Sequence, residues 1–368
     1  MRLRGLLRKE FLQIRRDPSS IAIAFLMPVV LLVLFGYGVS LDAEHVPVAL
    51  VVENPSGDTS AFTSAFLSSR YFAPSVYRSM REAERALRDH RVRAIVRLRE
   101  NFATELRSAD GAPVQVILDG TDANTARIVT SYVEGVRLKW ANDLARAQGT
   151  TLDVPVRLAQ RVWFNSELRS RNFIVPGLTA VVMTLIGTLL TAMVMAREWE
   201  RGTMETLLVT PVTVRELLLG KLVPYFVLGM GGMALSVAMA VWIFEVPLRG
   251  TLLVLFGAGA LFLVVALGMG LLISIVSRNQ FVAGQVAIIA TFLPAFILSG
   301  FIFDINSMPA VVQGVTHIVA ARYFVAILQT VFLAGDLWVV IVPNALALVL
   351  MAAIFLGLGR RRAKKQLE

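Results

Sequence analysis

Six long apolar stretches, at about 20–41, 173–196, 218–244, 251–276, 280–303 and 337–359, decide what this 368-residue chain can fold into. Each supplies the roughly 20 mostly apolar residues that a helix needs to cross a hydrocarbon core. None holds an Asp, Glu or His in its core, and the one Lys among them, Lys221, sits at an end. With 56% hydrophobic and 17% charged residues, the composition lies outside the soluble range. A membrane β-barrel would instead alternate in short segments. The first stretch is too long for a cleaved signal peptide, and no small-residue cleavage site follows it in "FGYGVSLDAEH". The expected fold is an α-helical polytopic membrane protein with six transmembrane helices.

The net charge of +10 raises the question of nucleic acid, and the positions of the charges answer it. Basic residues gather in "MRLRGLLRKEFLQIRR", in 197–221, at Arg278 and in "GRRRAKK". These are alternate ends of the six stretches, so the positive-inside rule places all four, and both termini, in the cytoplasm. No nucleic-acid partner is expected. The chain has no cysteine, which excludes disulfides, zinc–thiolate sites and thiol catalysis. His45, His90 and His317 lack ligand spacing, so no metal is expected.

The organisation follows from this topology. Residues 1–18 read as a cytoplasmic amphipathic helix with Leu3, Leu7, Phe11 and Ile14 on one face, broken at Asp17-Pro18 before the first span over 19–41. Residues 42–172 are the one large polar segment and alternate strand and helix patterns. They predict an α/β extracytoplasmic domain between spans 1 and 2, with a return strand within 147–165. Residues 173–359 hold spans 2–6, and 360–368 form a cytoplasmic basic tail. The stretch 304–336 is apolar enough to tempt a seventh span, but that would carry the basic tail outside. It is read as an external interfacial or re-entrant segment, in which Met308, Pro309 and Arg322 stand out.

No energy source is visible within the chain. Ion-coupled carriers keep carboxylates inside their spans, and these spans have none. HExxH and GxSxG are missing, Gly220-Lys221 lacks a glycine-rich loop, and "LSG" at 298–300 lies inside a span. The chain is therefore not expected to be an enzyme, and any ATP must be hydrolysed by a partner. A docking element for that partner should be short, cytoplasmic and fused to a span, which "REWERGTMETLLVTP" (197–211) satisfies. The second span can run through Arg197, Glu198, Trp199, Glu200 and Arg201 until Gly202 turns the backbone. Thr203 can then cap a short helix with Glu205 in its first turn, Leu207 and Leu208 offer an apolar patch, and Pro211 stops it. Glu198, Arg201 and Glu205 can line one face.

"EWERGTMETLLVTPVTVRELLLGKLVPY" resembles the coupling segment of bacterial ABC-2 type export permeases, with the E-R-G-T-x-E-x-L-L-x-T-P pattern borne by Glu200 to Pro211. "LSGFIFDINSMP" with the later "ARYF" is similar to that family's second signature. The resemblance covers the whole chain, and Trp199 is its departure, replacing a commoner polar residue. It implies the membrane subunit of an ABC exporter of the multidrug-type subgroup, in the bacterial inner membrane. The segment 197–215 would couple to an ATP-binding cassette ATPase that carries ATP and Mg, this chain binding no cofactor. A second permease subunit, identical or related, membrane lipids and a periplasmic adaptor would be the other partners. The cargo would be hydrophobic or amphipathic, as drugs are. The alternative is a mechanotransmitter or scaffold that works an external partner without transporting. Phe292, Pro294, Phe296, Phe301 and Phe303, near the outer end of the fifth span, are read either as an exit gate or as packing aromatics.

Overall fold

The computed structural model describes residues 2–38, 45–106, 108, 112–121, 123–147, 164–165, 169–202 and 213–367. It divides into two units, Met1–Ser40 with Arg161–Glu368, and Leu41–Gln160. The chain opens with helix α1 (Arg2–Arg15) and helix α2 (Pro18–Gly38). Asp17 caps α2 by accepting the Ser19 amide, and Pro18 fills the first turn, where an amide proton would have no helical partner anyway. One turn of α2, Ala22–Leu26, is π-helical.

The second unit holds β1 (Val46–Val52), α3 (Gly57–Leu67), β2 (Phe72–Tyr77), α4 (Met80–Arg88), β3 (Ala94–Leu98), α5 (Phe102–Glu105), β4 (Gln115–Leu118) and α6 (Ala123–Ala147). The sheet order is β2-β1-β3-β4, with β1 parallel to β2 and β3, and β4 antiparallel to β3. The central strand β1 is buried on both faces, as parallel strands are. Val48 and Leu50 pack with Phe62 and Phe66 of α3 and Val129 and Val133 of α6, whereas Ala49 and Val51 pack with Ala83 and Ala86 of α4. The return strand expected within 147–165 falls, for 148–163, outside the described residues.

The remaining helices belong to the first unit. They are α7 (Ser170–Glu200), α8 (Val214–Trp242), α9 (Leu252–Ser277), α10 (Gln280–Leu298), α11 (Ala310–Thr316), α12 (Ala320–Leu333) and α13 (Trp338–Leu367). Among the described residues six helices are long and apolar enough to cross a membrane: α2, α7, α8, α9, α10 and α13. The basic tail expected as a separate segment from 360 continues α13 as helix. Helix α7 is buried along nearly its whole length and forms the axis of the bundle. Its threonines would be costly in an apolar interior, but Thr179, Thr184, Thr188 and Thr191 each donate to the carbonyl one turn back, at 2.6–2.9 Å. Small residues bring α9 against it: Gly187 faces Ala266, and Gly270 lies on the Thr188 carbonyl and the Thr191 hydroxyl.

Helices α11 and α12 bend by 83° at the break between them. Helix α12 does not lie along a surface. Phe324, Ile327, Leu328, Val331 and Phe332 are fully buried in the bundle core, and Phe324 stacks on Phe262 of α9 at 4.3 Å. The bent pair within 304–336 has the geometry of either a broken span or a re-entrant loop.

Candidate coupling site

At the end of the bundle where α1, the start of α2, the last turn of α7 and the first turns of α8 meet, the structure buries a chain of charges. Lys221 on α8 donates to Glu10 Oε1 on α1 at 3.0 Å and to Glu198 Oε1 on α7 at 2.9 Å. All three residues are at least 95% buried, at 4%, 2% and 5% exposure respectively. Lys9 reaches the same Glu198 oxygen at 3.4 Å from a half-exposed position. Two carboxylates thus share one buried ammonium, with Lys9 supplying a second, wetter cation. Beside them Arg197 donates to Asp17 Oδ2 at 2.6 Å, so the last turn of α7 is tied to the cap of α2. Gly220 lets α1 approach α8 closely, its Cα facing the Leu6 side chain. Glu200 accepts the Gln280 amide at 3.0 Å, and Asn279 accepts the Val282 amide at 3.0 Å, which together serve the amino end of α10.

This arrangement adds detail to two helix faces. The α1 face of Leu3, Leu7, Phe11 and Ile14 is not uniformly buried in the bundle. Glu10 and Ile14 are buried, while Phe11 is 44% exposed. Of the Glu198, Arg201 and Glu205 face, Glu198 is 5% exposed and Arg201 is exposed. The helix continues to residue 200, and at about 100° per residue exposed Glu200 lies nearly opposite buried Glu198, while Arg201, just past the helix end, is exposed. Trp199 lies within the helix, and Gly202 follows at φ +66, the left-handed conformation glycine adopts without penalty. Thr203, Glu205, Leu207, Leu208 and Pro211 lie outside the described residues. Thr213 then starts α8 with a capping box, exchanging hydrogen bonds with Glu216. Sequence reasoning missed the partnership of Glu10 with Lys221. The available signal was the lone acid in a basic helix and the lone Lys at a span end.

The other candidate residues sit elsewhere. Phe296 touches Phe35 of α2 and Phe301 edge-on, each at 5.9 Å, and Phe292 lies 5.8 Å from Phe296. Phe301 is buried over Gly177 of α7, Pro294 is half-buried and Phe303 is 55% exposed. Four of the five therefore pack within the chain to some degree. Met308 is half-buried and its carbonyl accepts from the Gln313 side chain, whereas Pro309 is exposed ahead of α11. Arg322 donates through Nη1 to Thr316 Oγ1 and His317 Nδ1, which fastens the bend between α11 and α12.

Asp17 carries a pH signature. Burial raises its pKa, but hydrogen bonds from Arg197 and Ser20 and the Arg197 charge outweigh it and hold the carboxyl below its ordinary value. A carboxyl depressed in the folded state adds stability above its unfolded pKa, which is lost as pH falls through the folded one. Thermal unfolding of wild type and Asp17→Asn should therefore differ at pH 7 and converge as pH drops below about 4. A gap that stays constant over that range would remove the ion pair from the explanation.

Six membrane-length helices, with a bent helix pair and a charged knot at one end, fit a multi-pass membrane protein. A family model described as ABC-2 family transporter protein matches residues 18–361, and the chain belongs to that family. It is 46% identical over 368 residues to the protein named "Probable multidrug ABC transporter permease YbhS" of Escherichia coli strain K12, covering 100% of this chain and 98% of that relative. It is 28% identical over 336 residues to the similarly named YbhR of the same strain, covering 90% of each. To the inner membrane transport permease YhhJ it is 24% identical over 323 residues, covering 87% of this chain and 85% of that one.

Proposed function

We propose that this chain is the membrane subunit of an ATP-driven exporter of hydrophobic or amphipathic compounds, energised by a separate ATP-binding subunit. Family membership and the multidrug naming of the relatives support the reading. The observation that carries it is the charged knot of Glu10, Lys221, Glu198, Arg197 and Asp17. It fastens four helix ends beside the point where the chain leaves α7 at Gly202 for the 203–212 segment. A push on that segment would reach α1, α2, α7 and α8 together rather than one helix alone. That is the requirement for biasing a two-state bundle from outside the membrane. Positive-inside charge puts this end, both termini and the segment in the cytoplasm, and 42–172 outside, in a position to meet an adaptor. ATP and Mg belong to the partner, and a second permease subunit completes the pathway. The protein resides in the inner membrane.

Vesicles holding this chain, its second permease subunit and its ATPase test the coupling. Gly202→Pro and Glu200→Ala should lower ATP-dependent flux of a lipophilic dye by roughly tenfold or more, the loss expected when a positioning contact goes. Assembly with the ATPase should persist. Undiminished flux in both variants would sink the coupling role.

A further inference from the structure

Between α1 and the base of α7 lies a cleft of about 480 Å³. Lys9 and Leu12 of α1 and Arg16 just past its end line it at spacings of three and then four residues, while Arg197 of α7 and Arg201 just past that helix line it from the other side. Asp17 is the one carboxylate among the lining residues. It is already engaged by Arg197, and Lys9 is engaged by Glu198. Arg16 and Arg201 are exposed and have no acidic partner among the described residues. Two guanidiniums thus line one cavity without an acidic partner among the described residues.

The depth of the cleft says which anion. Arg16 stands two residues before the first membrane-length helix, Pro18–Gly38, and Arg197 and Arg201 flank the end of the second, Ser170–Glu198. Whichever side of the membrane this end occupies, those residues lie at the boundary between hydrocarbon and water, where lipid phosphates sit. The mouth is amphipathic as well, since Leu12 is 46% exposed beside Phe11 at 44%. Guanidinium forks match phosphate oxygens in pairs, and an exposed leucine offers cover for the first methylenes of an acyl chain.

We propose that this cleft is a binding site for the phosphate headgroup of an anionic membrane lipid, held between Arg16 and Arg201. The site needs neither transport nor an ATPase. A bound lipid would bridge α1 to α7 from outside, next to the buried bridge of Glu10, Lys221 and Glu198.

The test uses the full chain purified in a neutral detergent. Phosphatidylglycerol, phosphatidylcholine with the same acyl chains, and soluble glycerol phosphate are titrated separately and followed by native mass spectrometry and thermal unfolding. Phosphatidylglycerol should bind and raise the unfolding midpoint, and phosphatidylcholine and glycerol phosphate should not. The double variant Arg16→Gln/Arg201→Gln should bind phosphatidylglycerol roughly thirtyfold more weakly, while Arg361→Gln/Arg362→Gln in the tail should bind as wild type. Both pairs are exposed, and an unchanged midpoint without lipid establishes that each variant is folded. Equal binding of the two lipids would overturn the proposal, as would full affinity in the Arg16/Arg201 variant. Glycerol phosphate binding as tightly as the lipid would make this a site for soluble anions. An acidic peptide displacing the lipid at lower concentration would make it a protein contact.

Discussion

Replacing Lys221 with Met will detach α1 from the bundle and cost about 3–5 kcal/mol, the penalty for leaving a buried charge without its partner. The ammonium sits 3.0 Å from Glu10 and 2.9 Å from Glu198. Without it two carboxylates at 2% and 5% exposure would share a site with only half-exposed Lys9 beside them. One must then take up a proton, or α1 must swing into water. Limited trypsin digestion reads the second outcome directly, as faster cleavage after Arg4 and Arg8, and thermal unfolding in detergent reads the energy. The triple variant Glu10→Gln/Glu198→Gln/Lys221→Met should recover most of the loss, because a buried ion cluster replaced as a whole is often nearly neutral. A single variant within about 1 kcal/mol of wild type would show that the knot contributes little beyond a surface pair.

Gly270→Val should be comparably damaging for a different reason. A Cβ there would fall on the Thr188 carbonyl oxygen and the Thr191 hydroxyl, both fixed by the hydrogen bonds of α7. Overpacking ordinarily costs about 1–3 kcal/mol, and this site belongs at the upper end because the obstacle includes main chain. Gly257, on the same helix, has nothing within 4 Å of its would-be Cβ. Gly257→Ala should leave the unfolding midpoint within a degree or two of wild type, given its gain in helix propensity. If both variants unfold alike, close approach of α7 and α9 is not what holds the bundle.

The spans were legible because about 20 apolar residues in a row admit few other fates. The polar residues Arg322 and Gln329 marked 304–336 as costly to expose to lipid, but the break before α12 was not legible in them. What the residues did not disclose is direction. In 197–201 the charges were read as a surface, yet the continuing helix turns Glu198 toward Lys221 and Arg197 toward Asp17. On α1 the apolar pattern favoured Phe11 over Glu10, because a carboxylate is assigned to water unless its cation is known. That cation is 211 residues away, where no periodicity reaches. Strand β2 escaped for a local reason. Pro74 and Ser75 interrupt "FAPSVY", and a proline in the middle of a strand is tolerated at the sheet edge, which β2 occupies.

The π-helical turn of α2 has a counterpart in α10, at Ile288–Phe292. Each winds one residue more than an α-turn would, so the two halves of each helix are out of phase by about 100°. In α10 the half before the turn sets Ala283 and Ala287 against Leu185 and Leu189 of α7, and the half after it aims Phe296 at Phe35 of α2. Deleting one residue from the turn would restore a regular helix and swing Phe296 away from Phe35. Two helices flanking the same axis therefore carry a residue of slack, and shifting that slack by one position rotates a half-helix while its remaining hydrogen bonds stay closed.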